Sequence, residues 1–463
     1  MTLPRSAVVV GIGASGVAAA RALASRGVHT VACDDRGGTD LERRAAELVA
    51  AGVAFVAPGP QGSDHSLLQS YAGRAELFVA SPGVPQSHPL LAAALDRGVP
   101  VWSEPELAWR LSEGRTRVVA VTGTNGKTTT TELVAECLGV PAVGNIGTPM
   151  VQVLAAPDPP PLVVAELSSF QLRFADTLRP DVAVLLNVAP DHLDWHGTVD
   201  AYRAAKARIW AAQQAGDRVV AGADDDGARA TVEAHPPPGR LAWFRSGAPA
   251  DGEVGVADGW ITQRLRAGAP ERVAEVARMA LRGPHNVANA CAAVAAALLA
   301  GGDPERIAAT VAAFHPGPHR MEPVASAGGV DWVNDSKATN PHAAAAALSA
   351  YPSVVWIAGG LTKGLRFDEL RPLLPGRVRV ALTIGSGGPE IAALVRGCGV
   401  EAIEAGTLDE AVARAAGLAR PGDTVLLSPA CASMDQFRDY AERGQRFREL
   451  AAAAASVSEE VER

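Results

Sequence analysis

Short apolar runs rich in Val, Ala and Leu recur along the chain, and three series of them end in glycine-rich turns or polar clusters. The stretch AVVVGIGASGVAAARALASRGVHTVACDD reads as strand, glycine turn, helix and second strand within about thirty residues, the span a βαβ unit requires. RVVAVTGTNGKTTTTELVAECL opens a second series, continued by LVVAELSSFQL and DVAVLLNVAPDH. A third follows HPGPHR and comprises SVVWIAGG, RVRVALTIGSGG and DTVLLSPACAS. Runs so uniformly apolar predict strands buried on both faces, hence parallel sheets covered by helices. The expected fold is α/β, with three Rossmann-like modules at residues 1–103, 104–316 and 317–463. The central one is expected to be a P-loop-type ATPase domain with a mainly parallel sheet. The segment AAAAASVSEEVER either prolongs a helix or frays, and no solenoid-type period is present.

Composition narrows the partners. At 463 residues the chain has room for two to three domains. A net charge of -8 without long runs of one sign argues against nucleic acid. Cys33, Cys137, Cys291, Cys398 and Cys431 are scattered and form no CxxC pair, which points to neither a disulfide framework nor a zinc site, and to a reducing cytoplasm. The beginning of the chain lacks a signal-type apolar core, and the longest Ala-rich stretch, 287–300, is too short to span a bilayer and carries Asn289. No membrane insertion is expected.

The sharpest chemical signal is Thr122-Gly123-Thr124-Asn125-Gly126-Lys127-Thr128-Thr129, between a strand-like and a helix-like stretch. Backbone amides of such a loop and the helix N-terminus attract phosphate, Lys127 reaches outer phosphates, and Thr128 can ligate magnesium. Only two residues separate Gly123 from Gly126, shorter than the usual P-loop, and the alternative is a strand–helix turn with an incidental lysine. Gly11-Ile12-Gly13-Ala14-Ser15-Gly16 satisfies GxGxxG, with Asp34 near the position of a ribose-binding acid. By itself that suggests a dinucleotide. With a second phosphate loop in the same chain it suits the diphosphate of a UDP-sugar equally well, and tight packing without a ligand is the third option.

Glu166 and the pair Asp191-His192 each follow an apolar run, which brings them toward the sheet edge of the phosphate loop as candidate magnesium ligands. Lys206 lies in AYRAAKARIW, where helical spacing puts Tyr202, Lys206 and either Ile209 or Trp210 on one face. A solvated lysine is the plainer reading of that stretch.

The ordered set TGTNGKTT, ELSSFQL, NVAPDHLDWHG, YRAAK, HNVANA, GPHRMEP, NDSKATNPHA and LLSPACASMDQF resembles the Mur ligase family across nearly the whole chain. Ser336-Lys337 stands where diaminopimelate- or lysine-adding relatives and folylpolyglutamate synthases carry an Asp-Tyr motif, and no DNPR-type segment is present. The resemblance therefore implies the D-glutamate-adding branch: a cytoplasmic, monomeric ATP-dependent ligase that joins D-glutamate to UDP-N-acetylmuramoyl-L-alanine. It implies that Gly123, Thr124, Asn125, Gly126, Lys127, Thr128, Thr129, Asn286, Asn289, Arg320 and Asp335 hold ATP. Thr128, Glu166, His192 and a carbamylated Lys206 would surround magnesium, with Lys127, Glu166, His192 and Lys206 the catalytic group. Ser15, Asp34, Asp35, Arg36, Gly83 and Asn145 match positions for the UDP-linked substrate. Thr339, Lys363, Ser433, Met434 and Tyr440 match the D-glutamate pocket, with Lys337 adding positive charge nearby. Asp35 and Tyr440 depart from the family's Thr and Phe. The Gly/Pro-rich segment 315–318 is the expected hinge for closure of the third module. A dehydrogenase and a non-catalytic UDP-sugar and ATP sensor are the rival readings.

Overall fold

The computed structural model describes residues 3–56, 73–266, 268–281 and 283–461. The chain divides into two compact units, the first made of 1–278 with 288–312 and the second of 279–287 with 313–463. The long helix Pro284–Leu299 passes from one to the other.

The first unit holds two sheets. In the smaller, five parallel strands run in the order Ala54–Val56, His29–Cys33, Ser6–Val10, Leu77–Ala80 and Val101–Ser103. The larger has nine strands: an antiparallel edge formed by Glu271–Glu275, Trp260–Gln263 and Glu253–Ala257, then Arg240–Phe244, Arg218–Gly222, Val182–Leu185, Arg117–Thr122, Leu162–Glu166 and Ala142–Gly144, all parallel. Val118, Val119, Ala120 and Val121 are completely buried, as expected of a central strand with helices on both faces. The second unit carries six strands in the order Glu322–Ala327, Val330–Asn334, Thr424–Leu427, Val354–Gly359, Val378–Ile384 and Glu401–Gly406, parallel apart from the first hairpin. Mainly parallel α/β architecture is thus present in all three sheets. The alanine-rich end of the chain is helical, in Tyr440–Val461. No helix among the described residues is long and apolar enough to cross a membrane.

The helix after Thr198 runs Val199–Ala207 and then tightens into a 3-10 turn, Arg208–Trp210. Tyr202 and Lys206 share a face, with the Lys206 Nζ 4.5 Å above the Tyr202 ring. Residues three apart eclipse in a 3-10 turn, so buried Ile209 continues the face of Lys206 while Trp210 turns off it. Trp210 instead donates its Nε1–H to the His235 carbonyl at 3.0 Å.

Glu104, in the first turn of the helix Glu104–Ser112, is almost wholly buried. Its Oε1 accepts from the Val151 amide, and its Oε2 has no partner among the described residues. Burial raises its pKa from 4.5 to about 8, offset in part by the Val151 hydrogen bond. A folded pKa above the unfolded one means stability is fully present below pH 4.5 and lost as pH rises through about 8. Glu104→Gln is therefore expected to remove this slope and gain roughly 2–4 kcal/mol relative to wild type between those limits. Urea midpoints of both proteins at pH 5 and pH 9 test this, and parallel shifts would refute it.

Candidate active site

In the nine-stranded sheet, Arg117–Thr122 lies between Leu162–Glu166 and Val182–Leu185, and all three run parallel. The chain leaves the central strand toward opposite sides, creating a crevice at the carboxyl ends, where open α/β sheets bind ligands. The loop 123–126 occupies that place and leads into the helix Lys127–Leu138. Gly126 has φ +79°, and a β-carbon there would lie 2.3 Å from Asn289 Oδ1, so the loop sits directly against Asn289. Asn187 pins the loop: its carbonyl accepts from Thr124 N at 2.9 Å and its Oδ1 from Asn125 N at 2.8 Å. Its Nδ2 in turn donates to the Asn125 carbonyl at 3.1 Å. Asn187 has no role among the residues read from the sequence, although a polar residue just beyond an apolar strand is a usable signal. Thr128 and Thr129 are buried in the first helical turn, whose N-terminus favours anions.

Two lysines converge on one carbonyl. Lys127 Nζ donates to Gly123 O at 2.9 Å and Thr124 O at 2.8 Å, while Lys206 Nζ donates to Gly123 O at 2.7 Å. Lys206 is 1% exposed. Burial, then Lys127, push its pKa well below the usual lysine value, against the pull of Asp191 and Glu166. Tyr202, under Lys206, shares a 3.0 Å hydrogen bond with Thr124 Oγ1, which ties the helix to the phosphate loop.

Glu166 ends its strand fully buried. Asn145 Nδ2 donates to its Oε1 at 2.7 Å, whereas Oε2 is buried with no partner among the described residues. An unpartnered carboxylate oxygen is costly, and a hard cation relieves that cost. His192 lies beyond its strand rather than at its end, at φ +52°, with its ring 4.8 Å from Phe170 and Nε2 3.6 Å from Asp191 Oδ2. Among the described residues no three His, Cys, Asp or Glu side chains converge as a ready metal cluster. Glu166 Oε2 by its chemistry suits magnesium, which commonly takes one or two carboxylates and completes its shell with water and substrate phosphates.

In the five-stranded sheet, the turn 11–16 follows the central strand, again at a switch point. Asp34 is buried and accepts from Ile12 N at 2.8 Å and from Arg36 Nε at 2.9 Å. Burial works to raise its pKa, but the Arg36 and Ile12 hydrogen bonds hold it below the usual carboxylate value. Asp35 is exposed and bonded through Oδ2 to His88 Nε2 at 2.9 Å. Gly83 lies exposed in the loop after Leu77–Ala80, and Ser15, half-buried, lies in the first turn of the helix Ala14–Ala24.

The second unit gathers a separate group. Asp335 follows Val330–Asn334 and is buried, accepting from Ser428 Oγ at 3.0 Å and Met321 N at 3.2 Å. Burial raises its pKa to about 7, opposed by those hydrogen bonds and by Arg320. Lys337 Nζ lies 4.9 Å above the Tyr440 ring and 3.3 Å from its hydroxyl, so the Tyr440 departure supplies a polar contact. Thr339 N donates to Lys337 O at 2.8 Å. Ser433 is buried, Met434 exposed, and Lys363 adopts φ +50°. Arg443, invisible in the sequence among other helical arginines, is completely buried. It donates to Ser336 Oγ at 3.0 Å and Cys431 O at 3.1 Å, tying the NDSKAT and SPACAS segments together. Asn286 is buried in the first turns of Pro284–Leu299.

Comparison with known proteins agrees along the chain. Residues 5–103 match the MurD-like N-terminal domain of Mur ligases, 121–297 the Mur ligase middle domain, and 319–431 the Mur ligase glutamate ligase domain. A UDP-N-acetylmuramoylalanine–D-glutamate ligase of Frankia casuarinae is 47% identical over 95% of this chain and 92% of its own. One from Anaeromyxobacter dehalogenans is 45% identical over 96% and 97%. Among solved structures, MurF from Acinetobacter baumannii shares the fold at a TM-score of 0.60 and 19% identity, covering 92% of this chain and 90% of that one. MurC from Thermotoga maritima does so at 0.57 and 18%, covering 98% and 100%. The chain belongs to the Mur ligase family, within the branch of the UDP-N-acetylmuramoylalanine–D-glutamate ligases.

Proposed function

We propose that the chain uses ATP to join the L-alanyl carboxylate of UDP-N-acetylmuramoyl-L-alanine to the amine of D-glutamate, releasing ADP and phosphate, in peptidoglycan precursor synthesis. One observation carries the chemistry: a phosphate loop, two lysines and a partnerless carboxylate oxygen gathered around one topological switch point.

The L-alanyl carboxylate oxygen attacks the γ-phosphorus, the bond to ADP breaks, and an acyl phosphate forms. The D-glutamate amine, having lost a proton, adds to the acyl carbon, and the carbon–oxygen bond to phosphate breaks. Amides of residues 123–129 and Lys127 hold the outer phosphates in line for the first step. Glu166, Thr128, His192 and Lys206 are the residues that would hold magnesium, which when bound neutralises charge on those phosphates. Lys206 acts as its carbamate: the amine nitrogen bonds the carbon of carbon dioxide and loses a proton, replacing a cation beside Lys127 with an anion. Ser15, Asp34, Asp35, Arg36, Gly83 and Asn145 hold the UDP-linked substrate. Asn286, Asn289, Arg320 and Asp335 contact the nucleotide, and Lys337, Thr339, Lys363, Ser433, Met434 and Tyr440 hold D-glutamate. A monomer in the cytoplasm goes with this reading.

Phosphate release from purified protein with ATP, magnesium and UDP-N-acetylmuramoyl-L-alanine tests it, with D-glutamate, L-glutamate, lysine, diaminopimelate or no amino acid in parallel. Release with D-glutamate alone is expected. Release with another amino acid would move the chain to a different branch, and none with any would refute the assigned reaction.

A further inference from the structure

The helix Val199–Ala207 presents two different faces. Tyr202 and Lys206, one turn apart, meet the phosphate loop at Thr124 and Gly123. Ala201, Ala204 and Ala205, with Arg208 of the following turn, instead line a groove of about 610 Å³ within the first unit. Its polar wall consists of Gln86, Arg173, His196, Arg208 and His235, and among the described residues no carboxylate lines it.

Arg173 is the unusual member. It is half-buried, donates from Nε to Gln86 Oε1 at 2.9 Å, and makes no ion pair among the described residues. Burial, then Arg208, lower its pKa, as expected for a guanidinium held near a second one without a counter-charge. Arg208 is only loosely compensated: its Nε donates to the Ala175 carbonyl at 2.8 Å, and its nearest carboxylate, Asp176, is 3.6 Å away, mostly exposed and also 3.6 Å from Arg110. His196 is anchored by Ser169 Oγ at 3.0 Å. A partly desolvated guanidinium facing a cavity is costly unless an anion reaches it, and the planar fork suits phosphate.

We propose that this groove binds a phosphate-bearing small molecule between Arg173 and Arg208. Its volume lies in the range of small-molecule sites and exceeds a single phosphate, which favours a phosphate ester with a compact body. The proposal is independent of the ligase reading, since the groove lies along another face of the helix from Lys206.

Calorimetric titration of the full chain with inorganic phosphate and with glycerol 3-phosphate tests it, using wild type, Lys127→Ala, Arg173→Gln, Arg173→Lys and Arg208→Gln. Binding is expected to survive Lys127→Ala, which disables the phosphate loop, and to weaken about tenfold in Arg173→Gln, as loss of a charged hydrogen bond implies. Arg173→Lys should retain only part of it, since the charge remains and the planar fork is lost. Tighter binding of the ester than of free phosphate identifies an ester site, and equal binding a site for the free anion. If Arg173→Gln fails to fold, Arg208→Gln gives the same readout from the other wall. Binding lost with Lys127→Ala but untouched by the arginine variants would overturn the proposal, as would no saturable binding of either probe at millimolar concentration.

Discussion

Lys206→Ala is expected to lower kcat for D-glutamate-dependent phosphate release by about 10³-fold, the scale of losing a preorganised electrostatic group. The side chain is 1% exposed and held between Gly123 O and the Tyr202 ring, so it has one geometry and no access to bulk water. Its surroundings are two carboxylates, Asp191 and Glu166, and the ammonium of Lys127. The proposed carbamate would add negative charge next to Lys127 and an oxygen donor on the side of Glu166, and alanine supplies neither. Steady-state kinetics with ATP and D-glutamate each varied measures the loss, which should fall on kcat rather than on either KM. Carbon-13 NMR in labelled bicarbonate should show a carbamate resonance in wild type that is absent from Lys206→Ala. Activity within tenfold of wild type, or no such resonance, would remove Lys206 from the catalytic group.

Gly16→Ala is expected to destabilise the first unit by about 3 kcal/mol, the upper range for forcing atoms into a packed interior. A β-carbon at Gly16 would lie 1.9 Å from the Gly11 carbonyl oxygen and 3.0 Å from its carbon. Both neighbours are backbone atoms at the exit of the central strand and cannot swing aside as a side chain does. The helix Ala14–Ala24 must therefore shift away from the strand Ser6–Val10, disturbing the Ile12–Asp34 hydrogen bond and the proposed UDP-substrate contacts. Gly13→Ala is the comparison: its β-carbon meets only Ser81 Oγ at 3.5 Å, an ordinary contact, and its stability should stay within about 1 kcal/mol of wild type. Urea unfolding of both variants decides the matter, and equal midpoints would show that the close approach is not what makes Gly16 necessary.

Much of the site was legible in the order of residue types along the chain. Gly123 to Lys127 and Glu166 stand where apolar runs stop, and apolar runs that long and uniform mark strands whose ends gather on one side of a sheet. Other parts were not. Helical spacing puts Tyr202 on a face with Lys206, yet its bond to Thr124 crosses 78 residues of chain. Arg443 looks like any surface arginine of a charged helix, but its bond to Ser336 spans 107 residues and its side chain is completely buried. Gln86 and Arg173 carry no motif, and only the fold brings them together in the groove.

The sequence by itself determined the α/β class, the phosphate loop and the family, because these depend on local periodicity, on glycines at turns and on motifs that are contiguous in the chain. Only the tertiary structure decided that Lys127 and Lys206 share the Gly123 carbonyl, that Glu166 keeps one oxygen without a partner, and that the helix bearing Lys206 turns another face to a basic groove. The physical reason is that burial and desolvation are set by neighbours distant in sequence. A lysine, a glutamate or an arginine has the same intrinsic chemistry wherever it stands in the chain, and acquires a distinct one when packing removes its water and chooses its partner.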